Sequence, residues 1–322
     1  MKRHPISLTR ALLAATTICA GITLGGCAGD KHTILIEEFP SPGENAGSGS
    51  VQIIADVYPR DFSRSATGPT KGVYTPDTLD LPKGRYVHLY VYDEGETPET
   101  ALPVNFGIYT AREAGVLAPL AAMYDLSLKP GTYDFYAISE MNNSSDKTPP
   151  FADPDDPGGI MCCLDNGLDY LWWSATGVEV EADEPTALQM VFDHVNTLIQ
   201  INMHAAEGHT VDTIYQVTIT GPLAAASILQ FATGAISSSW ILSGTYDMVA
   251  YPDRVYTADF VPFTPGESLT VMMDVTLDGV TSWKSFFLPP PEEGSFEGGN
   301  CYLYDAYLGA GEDTRLEYSG KR

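Results

Sequence analysis

The chain has 322 residues, 44% of them hydrophobic, with 18 Tyr and 12 Phe. That is enough apolar material for two ordinary domains or one large sandwich, and too much for a disordered tail. Its 42 acidic residues against 17 Lys and Arg give a net charge of −25, which repels nucleic acid and anionic headgroups and excludes both as partners.

The first segment reads as an export signal. Lys2, Arg3 and Arg10 precede an apolar run from Ala11 to Leu24 that ends in Leu24-Gly25-Gly26-Cys27. The run is too short to span a bilayer as a mature helix, and the ending has the form of a lipobox. Residues 1–26 are therefore expected to be a lipoprotein signal peptide, with the Cys27 thiol acylated and residues 27–50 a linker. The alternative is an ordinary signal cut at an Ala-x-Ala-like site. Beyond Cys27 only Cys162, Cys163 and Cys301 remain, so at most one disulfide forms. A bridge between the adjacent Cys162 and Cys163 would be strained; pairing of either with Cys301, or buried thiols, stays open.

Strand signals dominate the remainder of the chain. Val51–Tyr58 is β-rich, and Tyr86–Tyr92 alternates aromatic and aliphatic residues. Tyr124–Leu128 and Thr132–Ser139 flank Lys129-Pro130-Gly131, which predicts a hairpin closed by a type II turn. Ala111–Met123 is the best helical candidate, weakened by Pro119. Met141–Gly167, rich in Pro, Asp, Asn and Ser, reads as a long loop, with a domain boundary near residue 160.

Beyond it, strands are expected over Tyr170–Val180, Ala187–Met203, Val211–Thr220 and Ser268–Leu277. Asp278-Gly279 predicts a tight hairpin into Val280–Leu288, and a last strand covers Cys301–Leu308. Within Leu188–Met203 the apolar parity switches between Phe192 and Ile199, so a break is expected near His194–Thr197. These signals predict an all-β chain of two antiparallel β-sandwiches in tandem, 51–160 and 161–322.

Three segments carry a resemblance: Leu128-Lys-Pro-Gly-Thr-Tyr-Asp-Phe-Tyr-Ala137, then Asp169-Tyr-Leu-Trp-Trp173, then Met190-Val-Phe-Asp-His-Val195 with an apolar strand after it. In this order behind a lipobox they resemble the fimbrillin superfamily, the type V pilins and accessory subunits of Bacteroidota. The resemblance implies two transthyretin-like sandwich domains and export as a lipoprotein to the outer membrane, on the cell surface or in a fimbrium.

It also implies a trypsin-like cut after the first strand and assembly with other fimbrial subunits by strand exchange, in the service of adhesion. The cut carries over to Arg60 or Arg64, with Arg64-Ser65 preferred because Asp61 disfavours the first. The alternative is two ordinary exposed arginines in a Ser/Thr/Gly-rich loop. The chain past Leu308 is short and polar, which fits an anchor, accessory or tip subunit better than a stalk subunit that must donate a strand.

Other chemistry has thin support. Gly-x-Ser-x-Gly, a phosphate-binding loop and His-Glu-x-x-His are absent from the sequence, so no catalytic residues, metal or cofactor are assigned. His194 and His204 share strand parity but lie over about 30 Å apart on an unbroken strand, too far for one metal ion. The acids around Asp153–Asp156 and Asp165–Asp169 lack calcium-loop spacing. Trp172 and Trp173 have two readings: an outward indole stacked on a sugar, as in a surface glycan-binding lipoprotein, or packing against the neighbouring domain.

Overall fold

Strands make up most of the described chain, and the computed structural model arranges them in three sheets. It describes residues 49–58, 78–141, 160–182, 186–263, 269–291 and 294–322. Cys27, Arg60, Arg64 and most of the Pro-rich loop lie outside these residues. Among them, helix is limited to four single 3₁₀ turns, and no helix is long and apolar enough to cross a membrane.

The first sheet runs β2 (Leu79–Asp80), β1 (Gly49–Val57), β10 (Thr186–His194), β9 (Tyr170–Val180), β7 (Gly131–Glu140), β3 (Tyr86–Asp93), β4 (Asn105–Ala111), β5 (Leu117–Pro119), with β6 (Ser127–Leu128) beside β1. The second runs β14 (Val249–Tyr251), β15 (Val255–Phe260), β11 (Thr197–Ala205), β18 (Cys301–Leu308), β19 (Arg315–Lys321). The third runs β13 (Ile236–Asp247), β12 (Val211–Gln230), β16 (Leu269–Leu277), β17 (Val280–Leu288), with β8 (Ile160–Leu164) also on β12.

Two large cores form among the described residues, beside a small cluster of Leu198, Cys301 and Leu303. In one, Ile53, Ala55 and Val57 of β1 and Leu188, Met190 and Phe192 of β10 pack on Val87, Leu89, Val91, Phe135 and Ala137. β10 and β9 are joined through only two residue pairs, His194–Leu171 and Asp193–Trp172, so the β1–β10 ribbon folds over the face of β3, β7 and β9. In the other core, Ile199, Ile201, Tyr302 and Tyr304 meet Ile219, Val271, Met273 and Val275 from the third sheet.

This second cluster also takes in Tyr90, Tyr92 and Tyr136, the opposite faces of β3 and β7. Strand β3 is therefore buried on both sides, which is why Val87–Tyr92 carries no solvent-facing polar register. Phe231 from the far half sits edge-on to Tyr90, ring centroids 4.7 Å apart.

Several expectations hold. The parity switch is a break: β10 ends at His194, β11 starts at Thr197, and the two strands belong to different sheets. Asn196 donates its side-chain N–H to the Leu168 carbonyl, and Thr197 Oγ1 bonds the Glu297 carbonyl at 2.6 Å, which pins the crossing. Asp278 and Gly279 take φ of +51° and +78° in a two-residue turn, and Leu277 faces Val280.

Others differ. β6 does not pair with β7: its partner is β1, at Gly49–Leu128 and Ser50–Ser127, so Lys129-Pro130-Gly131 joins two strands that lie apart. The 111–123 segment holds two 3₁₀ turns and β5 in place of a helix. Residues 170–194 come after the Pro-rich loop yet hydrogen-bond to β7 and β1, and the chain leaves the first sheet only after His194. Finally, Arg315–Lys321 forms β19 on the edge of the second sheet, with Leu316 and Tyr318 turned toward the core.

Candidate functional site

The seat of β1 is one of two parallel pairings among the described strands, the other joining β11 and β18. Gly49–Val57 lies parallel to β10, from Val51 opposite Thr186 to Val57 opposite Phe192. Strands of one sheet that run parallel cannot be joined by a tight turn, so β1 is held to its neighbour by contacts distant in sequence. Ile53, Ala55 and Val57 point inward at 0–1% exposure, while Ile54 between them is 40% exposed. Burying the two larger side chains is worth about 1.5–3 kcal/mol each.

The other edge of β1 is held sparsely: two pairs with β6, two with β2, and a single bridge from Ile54 to Val116. The Ala55 carbonyl accepts from Leu81 N–H at 2.9 Å. Gly115 brings its backbone so close that a Cβ there would lie 2.4 Å from the same carbonyl, and its φ of +67° suits glycine. Asp56, also buried, accepts bonds from Thr78 Oγ1 at 3.3 Å and Gln189 Nε2 at 3.4 Å.

At the C-terminal end, Tyr58 N–H donates to the Phe192 carbonyl at 3.2 Å. The His194 ring then closes the strand: Nε2 lies 2.8 Å from the Tyr58 carbonyl and Nδ1 lies 2.8 Å from Asp169 Oδ1. Both side chains of the pair are about nine-tenths buried, at 8% and 11% exposure. Burial raises the neighbouring Asp193 carboxyl, an effect that His194 partly offsets. Arg60 and Arg64 come within the next residues, outside those described.

The remaining sequence candidates are separated. His204 bonds Asp305 at 2.8 Å, His209 bonds Asp278 at 2.7 Å, and His194 bonds Asp169, so each imidazole has its own carboxylate. Among the described residues, no three His, Cys, Asp or Glu converge as a metal site would require.

Trp172 is half-buried against the larger core and donates Nε1–H to the Phe231 carbonyl at 2.8 Å. Trp173 is half-buried against the other core. Among the described residues, the rings that stand furthest into solvent are Trp283 and Phe287 on β17, at 62% and 76% exposure. Phe287 lies between the buried Phe286 and Leu288, and that alternation was the signal available in the sequence.

The described residues thus form an all-β fold of three sheets whose layers enclose apolar cores. The profile of the fimbrillin-like family matches residues 82–319, and the chain belongs to that family. Solved structures share its fold. A Bacteroides ovatus protein assigned to cell adhesion superposes with a TM-score of 0.56 at 13% identity, over 86% of this chain and 98% of that one. A second, from Bacteroides fragilis and likewise assigned to cell adhesion, gives 0.53 at 17%, over 84% and 97%. A third such protein, from Bacteroides uniformis, gives 0.53 at 14%, over 85% and 99%. No curated protein matches the chain.

Proposed function

We propose that this chain is an accessory subunit of a cell-surface fimbrium, exported as a lipoprotein through acylation of Cys27 and joined to other subunits by exchange of its first strand. The observation that carries the proposal is the seat of β1. An edge of backbone donors and acceptors on β10, lined by the pockets that hold Ile53, Ala55 and Val57, is what an incoming strand needs. A trypsin-like cut at Arg60 or Arg64, just past the strand, would free β1 from the rest of the fold. Family membership and the adhesion assignment of the structural neighbours support the same direction.

The role proposed is acceptor rather than donor. Residues 315–321 are already built into their own sheet as β19, so that segment is not available for a neighbouring subunit. This favours an anchor, accessory or tip position over a stalk. The two cores suit an N-terminal and a C-terminal domain, with residues 170–194 belonging to the first. Glycan binding through Trp172 or Trp173 is the weaker reading, because each indole is half-covered by a different core.

N-terminal sequencing and lipid analysis of cell-associated and shed protein tests the proposal. A start at acylated Cys27 in the first form, and at Asp61 or Ser65 in a shed form, is the expected pair. Shed and cell-bound protein that both begin upstream of Val51 with no acyl group would overturn it.

A further inference from the structure

We infer that His194, oriented by Asp169, is the end clamp of the β1 seat: it captures the backbone carbonyl just past the last paired residue of whichever strand lies there. The inference rests on the strand-exchange reading and adds what holds the C-terminal end of a seated strand. Apolar pockets hold alternate side chains but do not hold the backbone where the ladder of strand pairing stops.

The C-terminal end carries such a contact. Both atoms facing the His194 ring are acceptors, the Asp169 carboxylate at Nδ1 and the Tyr58 carbonyl at Nε2, each at 2.8 Å. A carbonyl oxygen only accepts, so the bond to Tyr58 is donated by Nε2–H. Asp169 holds the ring plane, and Nε2–H points at the carbonyl one residue beyond the Val57–Phe192 pair.

His194 is the last residue of β10, where the chain turns to leave the sheet. Its backbone pairs with Leu171, and the next residue's N–H, that of Val195, bonds the Tyr170 carbonyl at 3.0 Å, so the ring projects from a fixed frame. A backbone carbonyl is present on every strand whatever its sequence. The clamp therefore takes any strand and leaves side-chain selection to the pockets of Ile53, Ala55 and Val57. His194 acts as a positioning residue.

Two substitutions separate capture from mere pairing with Asp169. His194→Gln keeps a donor near the Nε2 position and gives up the one toward Asp169. His194→Asn keeps the donor near Nδ1 and gives up the Tyr58 contact. In the intact chain, amide hydrogen exchange at Val57 and Tyr58 should quicken about tenfold in His194→Asn and stay within about threefold of the parent in His194→Gln, with β16 amides unchanged as reference.

Equal rates in the two variants would overturn the inference. If His194→Asn does not fold, NMR of the parent protein decides. A slowly exchanging Nε2–H proton on His194 is expected, and an Nε2 that carries none would overturn the capture. The exchange reading has its own arm: parent protein nicked in residues 60–71 either releases its N-terminal peptide and takes up a labelled peptide of residues 49–58, or it does not. Failure there removes that reading whatever the His194 variants do.

Discussion

His88 is a buried group through which acidity should weaken this fold. It lies in β3 between Tyr86 and Tyr90, opposite Ile108 and Ile138, fully buried, with the Phe106 ring edge-on at 5.9 Å. Burial disfavours the charged ring and pushes its pKa down from 6.5 to about 4. In the unfolded chain the ring takes its proton near the ordinary value. Between those two values the unfolded state therefore binds more protons, and stability falls as pH drops.

The loss from His88 begins near pH 6.5 and reaches about 2.5 kcal/mol by about pH 4.5. The perturbation is His88→Phe, which keeps a ring in the site and cannot titrate. Urea unfolding monitored by Trp fluorescence, for parent and variant between about pH 7 and pH 4.5, gives two stability curves. Other acid effects are common to both, so their difference isolates His88. The parent should lose about 2.5 kcal/mol relative to the variant across that range. Parallel curves would refute the reasoning, and with it the claim that this face of β3 is sealed from water.

Two further perturbations probe other parts of the fold. Ile53→Ala should cost about 3 kcal/mol, and Ile54→Ala, one residue along the same strand, below about 1 kcal/mol. Urea midpoints would show equal costs if β1 were not seated with one face inward. At the far edge, burial alone would raise the Asp305 carboxyl, but bonds from Ser319, His204 and Asn202 outweigh it and hold it below the usual range. The bonds thus stabilise the fold above the ordinary carboxylate pKa, and that contribution is lost as pH falls through the lower folded value. Hydrogen exchange of residues 315–321 should quicken in that acid window, and Asp305→Asn should abolish the dependence.

Much of the fold was legible where one period governs a whole strand. Ile53, Ala55 and Val57 alternate with Gln52, Ile54 and Asp56, and the structure buries the first set in a core. The break at His194–Thr197 was legible for the same reason, because a change of parity has no continuous-strand solution. The hairpin at Lys129-Pro130-Gly131 was misread because the turn chemistry is local, whereas β6 is claimed by β1 across the sequence. β19 was missed because its alternation is short, only Leu316 and Tyr318 between charged or small residues.

The candidate site was half legible. A removable first strand with arginines just beyond it can be read from the chain, but the His194 contacts cannot. Asp169 and Tyr58 stand 25 and 136 positions from that histidine, and nothing in the local sequence pairs them. The two Trp residues show the converse limit. Adjacent positions on a strand say that they face opposite ways, yet both ways lead to a packed core here.

Exchange of β1 is tested most directly on purified full-length protein nicked with trypsin in residues 60–71. A fluorescent peptide of residues 49–58 is added, and both the released N-terminal fragment and the bound label are measured by gel filtration and mass spectrometry. An exchangeable β1 seat predicts one label bound for each native fragment lost, with a scrambled peptide excluded. Nicked protein that holds its own strand through partial denaturation and refolding, and never takes up the label, would contradict it.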